Sequence, residues 1–148
     1  MRLALLARNG LILTWIVMAS LTISYVVGVI ASIAYALLVA FLTYVLLRVT
    51  ACVNCPHMGK ECPYGFDRLA GFFVRGRVTS EFAKPLSLIN WVLLLTILPL
   101  TGLAYGLLLL SYIPSWLAIL LPVTIAAGMA EHALTCRRCS AGDRCPFR

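Results

Sequence analysis

Between Asn9 and Leu47 the chain carries no charged residue over 39 positions, and between Pro85 and Ala130 it carries none over 46. As single helices these runs would extend to about 58 and 69 Å at 1.5 Å per residue. A bilayer's hydrocarbon core is only about 30 Å thick, so each run has to cross it twice. Of the 148 residues, 62% are hydrophobic and 11% charged; a soluble domain carries about 25% charged residues. The expected fold is all-α: an integral membrane four-helix bundle built from two tandem transmembrane hairpins, each followed by a cysteine-rich cytoplasmic motif.

The span limits follow from punctuation. Gly and Ser between Gly28 and Ser32 mark the first turn, placing spans at about residues 8–27 and 31–49. Ser111-Tyr112-Ile113-Pro114-Ser115-Trp116 marks the second, between spans at about 87–110 and 115–134; Tyr112 and Trp116 suit a membrane–water boundary. Pro85 suits the first turn of a helix, where its missing N–H would have no partner. Pro99 and Pro122 are expected to bend their spans, and Gly102 and Gly106 to let a neighbouring helix approach. The run beginning at Leu11 lacks a small-x-small cleavage site, so it reads as a retained first span rather than a leader.

All twelve Lys and Arg, against five Asp and Glu, lie in the N-terminus, the 48–84 loop or the C-terminal tail. With four spans these segments share one face, and their charge marks it as cytoplasmic in a multi-pass cell-membrane protein. The net charge of +7 is thereby accounted for by anionic lipid and not by nucleic acid. Phe66, Leu69, Phe72 and Phe73 recur at helical spacing, which predicts an amphipathic interfacial helix in the 66–84 linker. A loop with those rings packed on the bundle is the plainer alternative.

All six cysteines fall in two similar segments: Cys52, Cys55 and Cys62, then Cys136, Cys139 and Cys145. Each reads C-x-x-C, a short gap, Gly, two charged residues and Cys-Pro-aromatic. Cys52 and Cys136 are 84 positions apart, Cys62 and Cys145 are 83. A single domain over 1–148 therefore divides into a first repeat (1–66), the linker (66–84) and a second repeat (85–148). A pseudo-two-fold axis along the membrane normal would bring the two motifs together.

Cytoplasmic thiols are kept reduced, so metal or redox chemistry is expected before structural disulfides. Two C-x-x-C turns supply the four thiolates of a tetrahedral zinc site. In one arrangement Cys52, Cys55, Cys136 and Cys139 hold one zinc, with Cys62 and Cys145 a symmetric pair. In another, each motif holds its own zinc with three Cys and one His, drawing on His57 and His132 as candidate ligands. The plainer readings are a solvated loop residue for His57 and a helix-end cation for His132.

Three alternatives stand beside structural zinc. An iron–sulfur cluster would make the protein an electron carrier at the membrane face, although the spacing differs from the familiar ferredoxin run. Structural disulfides are another. Four spans with C-x-x-C also bear a distant likeness to the DsbB and vitamin K epoxide reductase families, and that likeness implies a thiol–disulfide oxidoreductase using a quinone. It extends only to span count and the C-x-x-C turn. Here the cysteines lie on the positive side, and Cys136 follows the end of a span instead of starting one. No catalytic residue carries over; Cys52 and Cys55 would be the pair to test first.

Haem is disfavoured by two His, neither in a span interior, and an ion path by the lack of a charge deep in a span. Asn90 and the scattered Ser and Thr read as helix–helix hydrogen-bond partners. With no acid/base set, an accessory protein of a membrane complex or a homo-oligomer is expected ahead of an enzyme.

Overall fold

The computed structural model describes residues 2–47, 50, 83–110 and 113–137. Among them every regular element is helical. Helix α1 spans Arg2–Val26. Helix α2 covers Val29–Leu46, and its last stretch, Leu42–Leu46, is wound in wide turns with i→i+5 hydrogen bonds. Helix α3 comprises residues 83–110: Ala83–Leu88 is α-helical, Ile89–Ile97 wide-turned, Leu98–Tyr105 α-helical and Gly106–Leu110 wide-turned. Helix α4 is Ser115–Arg137.

Four stretches are long and apolar enough to cross a membrane: Leu6–Val26, Val29–Leu46, Pro85–Leu108 and Ser115–Leu134. These agree with the spans expected from the charge-free runs to within a few residues. The first turn is tighter than expected. Only Val27 and Gly28 separate α1 from α2, with both amides donating to the Ile23 carbonyl. Gly28 takes φ +114° and ψ 167°, a region open in practice only to glycine. Ser32, expected in the turn, is instead a buried residue of α2 whose hydroxyl donates to the Ser20 carbonyl at 2.7 Å. At the second turn the Pro114 carbonyl accepts from the Leu117 and Ala118 amides, so Pro114 stands just outside α4.

Helix α1 is the centre of the bundle. A third of its span is buried, against 17% for α2. Ile12, Trp15, Ile16, Ala19 and Ile23 follow one helical stripe into the core. They meet Tyr35 and Val39 of α2, Leu95 and Leu103 of α3, and Leu117, Leu121 and Ile125 of α4. Ile30, Ile33, Leu37, Leu108, Ile119 and Val123 face outward. In water they would be costly; in a bilayer they meet acyl chains.

Gly102 and Gly106 lie where α1 comes close, as their spacing predicts. A Cβ on Gly102 would sit 3.7 Å from Thr22 Cγ2, and one on Gly106 would be 3.4 Å from Val26 Cγ2 while colliding with Ile113. Most hydroxyls are satisfied within their own helix: those of Thr14, Ser20 and Thr22 donate to the carbonyls of Gly10, Ile16 and Met18.

Pro99 has the largest local effect. Its ring crowds the carbonyl four residues back and it lacks an N–H. The residues before it are wound in wide turns, and the Leu98 amide donates to Leu93, five residues back. Pro122, by contrast, sits within an α4 that continues as α-helix on both sides.

Candidate functional site

Polar and aromatic groups join the helices through Arg8 and Trp15 of α1, Tyr35 and Thr43 of α2, Asn90 and Trp91 of α3 and Glu131 and His132 of α4, apart from the Ser32–Ser20 bond near the Gly28 turn. The Arg8 guanidinium pairs with Glu131 at 2.7 Å, each side chain about a quarter exposed (28% and 27%). The next residue, His132, turns about 100° around α4 and stacks on Trp91 of α3, the rings 6.2 Å apart and 27° from parallel. Two consecutive residues of α4 thus reach two different helices.

Trp91 also meets Trp15 of α1, with centroids 5.7 Å apart and planes tilted by 50°. The Trp15 indole is only 2% exposed, and its Nε1–H donates to the Leu95 carbonyl at 2.7 Å. Trp15, Trp91 and His132 form a ladder of rings linking α1, α3 and α4. One turn before Leu95, Asn90 is fully buried and its Nδ2 donates to Thr43 Oγ1 at 3.0 Å. Among the described residues the Asn90 Oδ1 has no hydrogen-bond partner. Tyr35 adds a further interhelical bond: its hydroxyl donates to the Leu94 carbonyl at 2.6 Å.

Of the residues singled out as metal ligands, Cys52, Cys55, Cys62, Cys139, Cys145 and His57 lie outside the described residues, as does the amphipathic segment before Ala83. Cys136 lies in the last turn of α4, one turn beyond His132, and Thr50 is the last described residue before Cys52. Among the described residues no three His, Cys, Asp or Glu side chains gather as a metal site. The Asn90–Thr43 and Ser32–Ser20 bonds match the helix-joining role expected of those polar residues.

The sequence reading missed the Trp15 and Tyr35 donors, the Arg8–Glu131 pair and the ring ladder. A signal for the donors existed. Pro99 announces carbonyls in need of partners, and a Trp and a Tyr inside apolar spans are the groups able to reach them.

What the helices define is a class: an all-helical protein with four segments fit to cross a membrane. Within that class no nearer relation emerges, for the chain matches no protein-family model, no curated protein and no solved structure.

Proposed function

We propose that this is a small multi-pass membrane protein whose two cysteine segments form one thiolate cap on the cytoplasmic side, holding structural zinc and serving as an accessory or docking element of a membrane complex. Zinc would tie the two hairpin repeats together below the bilayer, with Cys52, Cys55, Cys136 and Cys139 as the central ligands. The basic segments around the cap would rest on anionic lipid.

One observation carries the reading. The Arg8–Glu131, Asn90–Thr43 and Trp91–His132 contacts join the C-terminal parts of α2 and α4 to the N-terminal halves of α1 and α3. The chain enters its first cysteine segment from α2 and its second from α4, so both start from the same end of the bundle. Two C-x-x-C turns leaving one end can share a tetrahedral ion.

The test is metal and thiol content of the detergent-purified protein. Zinc at about one or two per chain, lost together with thermal stability in Cys52→Ser and Cys136→Ser, is the expected result. Iron with acid-labile sulfide would select the cluster reading. Thiols that titrate only after reduction would select disulfides or a thiol–disulfide enzyme, and would overturn the zinc cap.

A further inference from the structure

We draw no further inference here: the strongest candidate, the buried Asn90 amide at the seam of α2 and α3, whose Oδ1 has no hydrogen-bond partner among the described residues, is sealed within packed helices and shows no space beside that oxygen for a ligand.

Discussion

Gly128→Ala tests how rigidly the centre of the bundle is built. A Cβ at Gly128 would lie 2.7 Å from both Cε3 and Cζ3 of Trp15. Carbon atoms pack best at about 3.5–4.0 Å, so the indole or α4 must withdraw by about 1 Å. Trp15 is poorly able to move: it is 2% exposed, packs on Trp91 and is tethered through Nε1 to Leu95 O at 2.7 Å. A 1 Å retreat takes that bond beyond hydrogen-bonding distance and leaves a carbonyl unserved beside a proline.

Overpacking of this kind costs about 1–3 kcal/mol, and losing a hydrogen bond adds about 1 kcal/mol. Replacing glycine within a helix returns about 1 kcal/mol. The expected net destabilisation is about 1–3 kcal/mol. Gly10→Ala and Gly102→Ala are the controls. Nothing lies within 4 Å of a Cβ on the first, and the second meets Thr22 Cγ2 at an ordinary 3.7 Å; both should be neutral or up to about 1 kcal/mol more stable. Unfolding in mixed dodecylmaltoside–SDS micelles, followed by tryptophan fluorescence, ranks the three. If Gly128→Ala proves as stable as Gly10→Ala, Trp15 is loosely held and the tether argument fails.

Other outcomes follow from the same contacts. A double-mutant cycle on Asn90→Leu and Thr43→Val should return a coupling of about 0.6 kcal/mol and at most about 1.7, the range for hydrogen bonds between membrane helices; zero coupling in the unfolding assay would deny the bond. Gly28→Ala, forced to φ +114°, should cost about 1–2 kcal/mol, and a neutral thermal midpoint would mean that the turn is remade. Glu131→Gln, partnered to a quarter-exposed Arg8, should lose under about 1 kcal/mol and less at high salt; a larger, salt-independent loss would place the pair away from the surface. Zinc content should fall in Cys136→Ser, as in Cys52→Ser, while Leu37→Ala on the outer face of α2 should leave it unchanged.

The span count and limits were legible because charge is excluded from the hydrocarbon and the turns are marked by Gly28 and Pro114. The inward faces were not. In a soluble helix polar residues mark the outside and leave a stripe for the core, but here Ile30 and Leu37 on the outside are as apolar as Ile16 and Val39 within. Burial is therefore decided by packing partners, not by periodicity. The same holds for hydrogen bonds. Pro99 states in the sequence that a carbonyl will lack its donor, yet the donors come from Tyr35, 59 positions away, and Trp15, 80 away. No local pattern encodes such a distance. The cysteine segments present the converse case: their spacing and repetition suggest a chemistry, and five of the six cysteines lie outside the described residues. In this chain the lipid-facing run was readable from what it excludes, and the interior only from what each polar atom requires.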